Sequence, residues 1–307
     1  MLSILIPIYE VKVEKLVIKL VKQCHGSKIE FEIICFDDGS SEKVKSANKA
    51  IDLIMGVNYV ELSENKGRAK IRNLLAKMAR YEYLLFLDCD SKITGKKFIK
   101  KYISNLDGRM VICGGRKYSQ TPPKNEGKYL HWLYGTKRES KSMSYRKRKK
   151  AEFFHSNNFV IDKHTLFENP FDESISGYGY EDLALAHQIT QRGIPIMHID
   201  NPTVHEGLES VNDFIDKSII ATSNLWLLHK ERRVPYTRLI KAYKFLDSYY
   251  LKNWFLRIIN IRKDKFLANL RSQSPKLYNL DLLKLTHFCE LSIEQKKEEN
   301  CGKRLNS

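Results

Sequence analysis

Short apolar runs alternate with helix-like patterns through the first third of the chain. Four apolar runs predict strands, over residues 2–8, 31–36, 58–62 and 83–87. Between them, apolar positions 16, 17, 20 and 21 share one face of a helix predicted over 14–21, and further helices are predicted over about 42–54 and 67–79. Strands that are apolar throughout and separated by helices pair in parallel, in a sheet covered on both faces. The predicted fold class is therefore α/β, with a mostly parallel central sheet flanked by helices.

The pattern changes after about residue 210. Up to that point the alternation of apolar and polar residues is typical of a globular domain, and beyond it the pattern predicts helices, for example over 238–260. Residues 231–271 carry eleven Lys and Arg against three acids, a local net charge of +8. We therefore predict an α/β domain over 1–210 and a basic helical C-terminal extension over 211–307. Residues 137–150 hold eight basic residues, one acid and no apolar period, which predicts a solvated, mobile loop.

The 307 residues carry a net charge of +17. This bias favours an anionic partner, such as a phosphorylated substrate, an acidic polysaccharide, an anionic membrane surface or a nucleic acid. The six cysteines form no CxxC pair and do not cluster with histidine, which suits a reducing compartment and argues against a zinc or disulfide framework. The amino-terminal segment lacks the features of a signal peptide, and no run is long enough for a spanning helix. We expect a cytoplasmic protein, attached at most peripherally at the inner face of the membrane.

Acidic residues follow two of the predicted strands. Asp37 and Asp38 come directly after 31–36, and Asp88 and Asp90 follow 83–87. Ligands of open parallel sheets bind at the carboxyl ends of strands, so the two pairs predict one site between them. Carboxylates two residues apart can hold a divalent cation on a diphosphate. The alternative is a strand-end turn in which an aspartate caps the next helix.

Asp38 precedes a glycine, which lets a ligand approach the backbone closely. Its carboxylate can accept hydrogen bonds from a base or from ribose; the alternative is a helix cap, which Ser40 or Ser41 can also supply. Gly67 lies at the start of a helix that carries Arg72. Backbone N–H groups at a helix start, with a basic side chain one turn further on, suit a diphosphate, although an exposed helix face gives the same pattern.

Glu181 and Asp182 follow the sequence GYGY and precede a helical apolar pattern. One acid can deprotonate an acceptor hydroxyl while the other holds sugar hydroxyls, but the helix dipole alone also favours acids there. His205 can complete a metal shell or can be a hydrogen-bonded loop histidine. The run HSNN at 155–158 precedes a strand-like segment and can orient sugar hydroxyls or form a polar turn.

Together these segments resemble one known family. The blocks SILIPIYE, EIICFDDGSSEKV, NKGRAKIRN, LLFLDCD, FFHSNNFVI and GYGYEDLALAHQI follow the order and spacing of family 2 glycosyltransferases with the GT-A fold. The resemblance covers about residues 1–210. It implies a Rossmann-like nucleotide-binding half over 1–110 and an acceptor and catalytic half over 111–210. The basic segment 137–150 and the C-terminal extension match no feature of the family.

The resemblance also implies roles for individual residues. Asp38 would contact the base, commonly uracil, and Asp90 would bind the metal. His205 matches a metal-ligating histidine of some members. Asp182 resembles the catalytic base, with Glu181 beside it holding sugar. Further contacts to the nucleotide or donor sugar are implied for Pro7, Tyr9, Glu10 (where asparagine is more frequent), Gly67, Arg72, Asp88 and Asn157.

The implied activity is that of an inverting, hexosyl-type glycosyltransferase in cell-surface polysaccharide synthesis. It would use Mn²⁺ or Mg²⁺ and a UDP-sugar donor, and would transfer the sugar in a single displacement to a glycan or lipid-linked saccharide acceptor. One alternative is a nucleotidyltransferase, but such enzymes usually carry a glycine-rich loop after the first strand, where this chain has PIYEVKVEK. The other is a non-catalytic module that binds nucleotide sugars or nucleic acid. The net charge favours it, but a nucleic-acid domain does not need acidic strand ends, so no nucleic-acid partner is expected.

Overall fold

The computed structural model of the chain describes residues 1–175, 177–235 and 237–305, with side chains as far as residue 298. The chain forms two compact units. Unit 1 comprises Met1–Thr121, Gly135–Ser176 and Glu181–Leu208, and unit 2 comprises Pro122–Tyr134, Gly177–Tyr180 and Glu209–Ser307. The domain boundary expected at residue 210 stays a prediction.

Unit 1 contains two sheets. The strands of the described residues are β1 Leu2–Ile8, β2 Phe31–Asp37, β3 Val57–Glu61, β4 Tyr83–Leu87, β5 Ser91–Lys92, β6 Val111–Cys113, β7 Arg116–Lys117, β8 Asn158–Asp162, β9 Ile196–His198 and β10 Thr203–His205. The main sheet has seven strands in the order β3-β2-β1-β4-β8-β6-β9, and the small sheet has the order β5-β10-β7. In the main sheet only β8 runs antiparallel to its neighbours, β4 and β6. The predicted α/β class with a mostly parallel sheet is confirmed.

Helices flank the main sheet and make up most of unit 2. The α-helices of the described residues are α1 Glu14–Gly26, α2 Glu42–Asn48, α3 Arg68–Met78, α4 Phe98–Ile103, α5 Tyr129–Tyr134, α6 Met143–Lys149, α7 Lys163–Glu168, α8 Glu181–Gln191, α9 Val211–Lys230, α10 Arg238–Ser248, α11 Lys252–Leu270 and α12 Leu277–Leu305. Short 3₁₀ segments cover Lys49–Leu53, Glu126–Lys128 and Lys150–Phe153, and a π-helix covers Gly135–Glu139. Unit 2 holds α5 and α9 to α12.

Both faces of β1 are buried, which explains why this strand is apolar almost throughout. Ile4 belongs to the core on one side of the sheet, together with Leu20 of α1. Leu5 belongs to the core on the other side, together with Leu75 of α3. Full burial of such a side chain stabilises the fold by roughly 1.5–3 kcal/mol. This packing fixes the sheet edge where β1, β2 and β4 end.

The core of unit 2 includes an aromatic cluster on α9, α10 and α12. The ring centroids of Trp226 and Tyr243 each lie close to Phe288, at 5.0 Å in both cases, in edge-to-face geometry. Edge-to-face contacts of this kind stabilise a fold beyond the area that they bury. A second cluster joins Leu270 of α11 to Leu280 of α12.

The prediction of a solvated loop over 137–150 is wrong. The segment is largely helical, and Arg146 of α6 is only 2% exposed. Its Nη2 donates hydrogen bonds to the carbonyl oxygens of Gly114 at 3.1 Å and Ile199 at 2.8 Å. Its Nη1 lies 2.9 Å from Nδ1 of His198, whose pKa burial lowers to about 4, so the neutral ring can accept this bond. Backbone oxygens and an imidazole therefore replace the water that this arginine loses.

No helix in the described part of the chain has both the length and the apolar character needed to cross a membrane. The cysteines with described side chains are free thiols: Cys24, Cys35, Cys89, Cys113 and Cys289. The side chain of Cys301 lies outside the described residues.

Candidate active site

Asp38 fastens the loop that precedes α3. Its Oδ1 accepts the N–H of Lys66 at 2.6 Å, and its Oδ2 accepts the N–H of Gly67 at 3.1 Å. Gly39, with φ of 78°, allows this contact, because a Cβ there would lie 2.9 Å from the backbone nitrogen of Asn65. Burial raises the pKa of Asp38 even though these N–H bonds oppose the shift. Each carboxylate oxygen has about two acceptor sites, so both can still accept a bond from a ligand.

The loop after β1 is tied to the start of α2. Glu10, at a φ of 54°, accepts the N–H and the hydroxyl of Ser41, at 2.6 and 2.9 Å. Its own N–H donates to the hydroxyl of Ser40 at 2.8 Å. Pro7 lies within β1, and the next aromatic residue, Tyr9, is 54% exposed. Glu10 therefore holds the loop in a shape that leaves the Tyr9 ring open to a planar ligand.

Asp88 lies between two guanidinium groups. Its Oδ1 accepts a hydrogen bond from Nη2 of Arg72 at 2.8 Å, and its Oδ2 accepts one from Nη2 of Arg116 at 3.4 Å. Arg72 is 2% exposed and also reaches Glu181, with its Nη1 3.7 Å from Oε1. Arg116 binds Glu139 at 3.1 Å, and this contact lowers the pKa of Glu139 to about 2 against the opposing effect of burial. A network of arginines and acids therefore surrounds Asp88.

Asp90 faces His205 across the small sheet. Pairing of β5 with β10 places His205 opposite Ser91, and Nδ1 of His205 lies 3.2 Å from Oδ2 of Asp90. A Cβ on Gly207 would come within 2.1 Å of the same oxygen, so only glycine fits there. Burial raises the pKa of Asp90, but the hydrogen bond and charge of His205 outweigh it and the net shift is downward.

These two side chains fit a divalent cation. Oδ1 of Asp90 is buried and has no hydrogen-bond partner. Two ligands in an octahedral shell lie about 3 Å apart, close to the separation of Asp90 and His205. The carboxylate oxygen suits Mn²⁺ or Mg²⁺, and a neutral imidazole nitrogen is a common metal ligand that can join it. Within the described residues no three His, Cys, Asp or Glu side chains gather in one metal-binding group, so substrate oxygens or water would have to complete the shell.

Asp182 lies in the first turn of α8, where the helix dipole favours negative charge. Its Oδ1 accepts the N–H of Leu183 at 2.7 Å, and its Oδ2 lies 3.6 Å from Nδ1 of His155. Burial raises the pKa of Asp182, but His155 and the N–H of Leu183 lower it further than burial raises it. Asp182 is therefore ionised at neutral pH. Nε2 of His155 is buried without a hydrogen-bond partner.

Asn157 contacts both Asp88 and Thr203. Its backbone oxygen accepts the N–H of Asp88 at 3.0 Å, and its Nδ2 donates to the hydroxyl of Thr203 at 3.3 Å. Asn157 is 2% exposed, and its Oδ1 is buried without a hydrogen-bond partner. A buried acceptor left open in this way is available to a ligand hydroxyl.

A pocket of about 730 Å³ opens beside Asp90. Residues of the β1–α1 loop, α1, the 89–93 segment and Gly207 line it. Its lining carries four lysines, at positions 12, 15, 19 and 92, and three acids, Glu10, Asp90 and Glu206. Lys92 pairs with Glu206 at 2.9 Å, so the other three lysines are the ones that favour anionic groups next to the candidate cation site.

Residues 3–175 match the family model described as glycosyl transferase family 2. The chain belongs to this family. It is 24% identical to the chondroitin synthase of Escherichia coli over 271 residues, which cover 76% of this chain and 38% of that protein. It is 26% identical to the hyaluronan synthase of Pasteurella multocida over 238 residues, which cover 67% and 24%. The chain thus spans well under half the length of these curated relatives.

Two solved structures resemble this chain. One is the mannosyltransferase PcManGT from Pyrobaculum calidifontis in complex with GDP-Man and Mn²⁺, with a TM-score of 0.50 and 14% identity over 77% of this chain and 65% of that one. The other is S. aureus TarS 1-349 in complex with UDP-GlcNAc, with a TM-score of 0.49 and 15% identity over 96% and 92%. The likeness to the mannosyltransferase concerns the fold. The predicted membership in family 2 with a GT-A fold is confirmed.

Sequence reasoning missed three residues of the candidate site. Arg116 pairs with both Asp88 and Glu139, and Tyr118 donates its hydroxyl to Glu139 at 2.6 Å while its ring lies 5.3 Å from that of His205. Glu139 is the single acid in a basic run, and that isolation was the only signal in the sequence. Nothing in the pattern around Arg116 and Tyr118 indicated that β7 would lie beside β10.

Proposed function

We propose that this protein is an inverting, hexosyl-type glycosyltransferase that moves a sugar from a UDP-sugar to a hydroxyl group of a glycan or lipid-linked acceptor. The observation that carries the proposal is the ionised Asp182 at the start of α8. It belongs to the same compact unit as the paired Asp88 and the Asp90–His205 pair. A base, a donor-binding acid and a cation site are the three parts that such a transfer needs.

In the proposed donor complex, the nucleotide lies at the ends of β1 and β2. Tyr9 stacks on the base and Asp38 accepts its ring N–H, which favours uracil over cytosine and adenine, whose ring nitrogens carry no hydrogen. The loop at Gly67 and the β1 residues Pro7 and Glu10 line this pocket. Arg72 holds Asp88 toward the ribose or the donor sugar, and Glu181 and Asn157 take sugar hydroxyls.

Asp90 and His205 would hold the divalent cation. A bound Mn²⁺ or Mg²⁺ neutralises charge on the departing diphosphate. The structurally similar mannosyltransferase is described in complex with a nucleotide sugar and Mn²⁺, which supports a cation in this fold. The lysines at positions 12, 15 and 19 add positive charge beside the same place.

Asp182 acts as the general base in this proposal. Its Oδ2 takes the proton of the acceptor hydroxyl as the acceptor oxygen attacks the anomeric carbon, and the bond from that carbon to the diphosphate breaks. A single displacement of this kind inverts the anomeric configuration. His155 orients the carboxylate and keeps it ionised.

Two observations support the proposed acceptor. Two relatives are named as synthases of polysaccharides, chondroitin and hyaluronan, which favours a glycan acceptor in polysaccharide synthesis. The net charge of +17 favours an acceptor or a surface that is anionic. We therefore propose that the enzyme works at the inner face of the membrane, as a peripheral cytoplasmic protein.

A screen of nucleotide sugars tests the proposal. The chain with Mn²⁺ should bind UDP-sugars in preference to GDP-, CDP- and ADP-sugars and should slowly hydrolyse the matching donor. The product should be UDP; release of pyrophosphate would instead identify a nucleotidyltransferase. Binding of a nucleotide sugar without any hydrolysis would favour a non-catalytic module, and failure of every nucleotide sugar to bind, with and without Mn²⁺, would overturn the proposal.

A further inference from the structure

Four aromatic side chains at the junction of α10 and α11 are exposed to solvent. Phe245 is 57% exposed, Tyr249 65%, Tyr250 93% and Trp254 62%. The rings of Phe245 and Tyr249 contact each other, with centroids 4.9 Å apart. We refer to these four residues as the aromatic turn. Single exposed apolar residues are ordinary on protein surfaces, but a group of large ones within ten residues marks an interaction site.

The outer face of α11 continues the aromatic turn. Trp254, Arg257, Ile261 and Lys265 are spaced by three or four residues and so share one face of the helix. All four are exposed, and Ile261 is 78% exposed. Ile259, on the opposite face, is buried. The exposed face therefore combines large apolar side chains with basic ones.

Positive charge surrounds these apolar side chains. Residues 241–265 hold seven Lys and Arg against two Asp, a local net charge of +5. Asp247 is neutralised within unit 2, because its Oδ1 lies 2.6 Å from Nζ of Lys252 and 3.6 Å from Nζ of Lys296. On α10, Lys241 lies one helical turn before Phe245 and is exposed.

We propose that the aromatic turn, with the basic outer faces of α10 and α11, docks this protein onto an anionic lipid bilayer. Trp and Tyr rings favour the membrane interface, because the apolar part of the ring contacts the acyl chains while its polar edge reaches the headgroups. Lys and Arg beside them are attracted to anionic lipid. A helix with a basic polar face and exposed Trp and Phe is typical of segments that lie in the interface. The surface specifies the peripheral attachment proposed above and does not depend on sugar transfer.

The proportion of lysine among the basic residues distinguishes a bilayer from a protein partner. Six of the seven basic residues in 241–265 are exposed, and four of these six are lysines, because Lys252 is buried beside Asp247. Lysine is depleted in protein–protein interfaces, whereas a bilayer attracts it through diffuse charge and needs no fixed hydrogen-bond geometry. The composition of this surface therefore favours lipid over a second protein.

Vesicle co-sedimentation of the full chain tests the proposal. Binding to vesicles of phosphatidylcholine with phosphatidylglycerol should exceed binding to phosphatidylcholine alone and should weaken as salt rises. The double variants Tyr250→Ser with Trp254→Ala, and Lys241→Glu with Arg257→Glu, should each lower the partition coefficient about tenfold or more.

Matched variants elsewhere provide the control. Phe167→Ala removes an aromatic side chain that is 51% exposed in unit 1, and Lys43→Glu with Lys49→Glu reverses two exposed lysines of unit 1. Both should bind anionic vesicles as the unchanged chain does. Equal losses in these controls would show that only total charge or total apolar surface matters, and would overturn the assigned surface.

A second readout locates the contact. Lipids with brominated acyl chains should quench part of the tryptophan fluorescence, and Trp254→Phe, which keeps a large apolar ring, should abolish that quenching. Circular dichroism and donor hydrolysis show whether each variant is folded. A variant that is misfolded or that no longer hydrolyses the donor can therefore be told apart from one that has only lost vesicle binding. Three outcomes would overturn the proposal. The first two are equal binding to both lipid mixtures and no binding to either. The third is self-association that Trp254→Ala removes, which would identify a second copy of the chain as the partner.

Discussion

Asp90 and Asp182 each lie beside a histidine, but the two pairs leave different atoms open to a ligand. In the first pair, Oδ1 of Asp90 is buried without a hydrogen-bond partner, and His205 faces Oδ2. In the second, the N–H of Leu183 occupies Oδ1 of Asp182, and Oδ2 faces His155 at a longer distance of 3.6 Å. The first arrangement suits a cation, which needs several close oxygen or nitrogen ligands. The second suits proton transfer, because one oxygen is held fixed while the other can receive a proton.

Asp182→Asn should abolish sugar transfer while leaving donor binding largely intact. Asparagine keeps the shape of the side chain and can still accept the N–H of Leu183 through Oδ1, but it cannot take a proton from the acceptor. Loss of a general base lowers turnover by about a hundredfold or more. UDP release in the presence of acceptor measures transfer, and calorimetric titration with UDP-sugar and Mn²⁺ measures binding. Full turnover by the variant would refute the assignment of the base.

His155→Gln should move the acid limb of the pH profile of kcat/KM to higher pH. The pKa of Asp182 is lowered. As the solution is acidified, Asp182 therefore stays ionised and active as a base until the pH falls below the usual range of aspartate pKa values. Without His155 burial is opposed only by the N–H of Leu183 and the charge of Arg116, so the pKa of Asp182 rises and the base is protonated at higher pH. His164→Gln, which alters a histidine whose side chain is 67% exposed, is the matched control and should leave the profile unchanged. An acid limb that stays in place in His155→Gln would contradict this role.

At the scale of elements, the strands that carry the site were predictable and the short elements around it were not. The runs that form β1, β2 and β4 are apolar throughout because both faces of the sheet are buried, so their ends, and the acids there, could be located from the sequence. Strands β5, β7 and β10 have only two or three residues each, too few for any periodicity to appear. Their pairing brings His205 to Asp90, and it follows from contacts between residues more than 100 positions apart.

Helix α6 is the clearest error of prediction, and its cause is physical. Eight basic residues in 137–150 indicate a solvated segment, because charges are seldom buried. Arg146 is buried all the same, since it meets carbonyl oxygens from β6 and from the residue after β9. Gly115, at a φ of 96°, makes room for it, because a Cβ there would lie 2.7 Å from the guanidinium. No local pattern distinguishes this arginine from its exposed neighbours.

Arg146→Met should lower the free energy of unfolding by about 3 kcal/mol. The change keeps most of the apolar stem but leaves the oxygen of Ile199 without its donor and that of Gly114 with only the N–H of Asn201, and unbonded buried polar groups are costly. Urea unfolding followed by circular dichroism measures the effect. Lys147→Met alters the next residue of the same helix, which is exposed, and should stay within about 0.5 kcal/mol of the unchanged chain. Equal destabilisation by the two substitutions would show that Arg146 is not a structural anchor.

At the scale of the whole molecule, the net charge of +17 combines contributions with different roles. Lysines line the pocket beside Asp90, the buried Arg146 ties α6 to the residues at the ends of β6 and β9, and a basic surface covers the outer faces of α10 and α11. A net charge alone therefore does not identify a partner. Every residue proposed to contact donor or cation belongs to unit 1, and the proposed lipid surface belongs to unit 2, so substitutions can test the two separately.

UDP and Mn²⁺ together should raise the melting temperature of the protein more than the sum of their separate effects. A ligand that binds only the folded state at about one hundred times its Kd stabilises it by about 2.7 kcal/mol, and each kcal/mol corresponds to roughly 2–4 °C for a domain of this size. The gain should be cooperative because the cation joins the diphosphate to Asp90 and His205. Asp90→Ala should remove the part that needs Mn²⁺, whereas Asp107→Ala, at an exposed acid, should keep it. Differential scanning fluorimetry with UDP, GDP and ADP measures all of these shifts. An unchanged Mn²⁺-dependent shift in Asp90→Ala would contradict the metal role, and an equal shift with GDP would contradict the uridine preference.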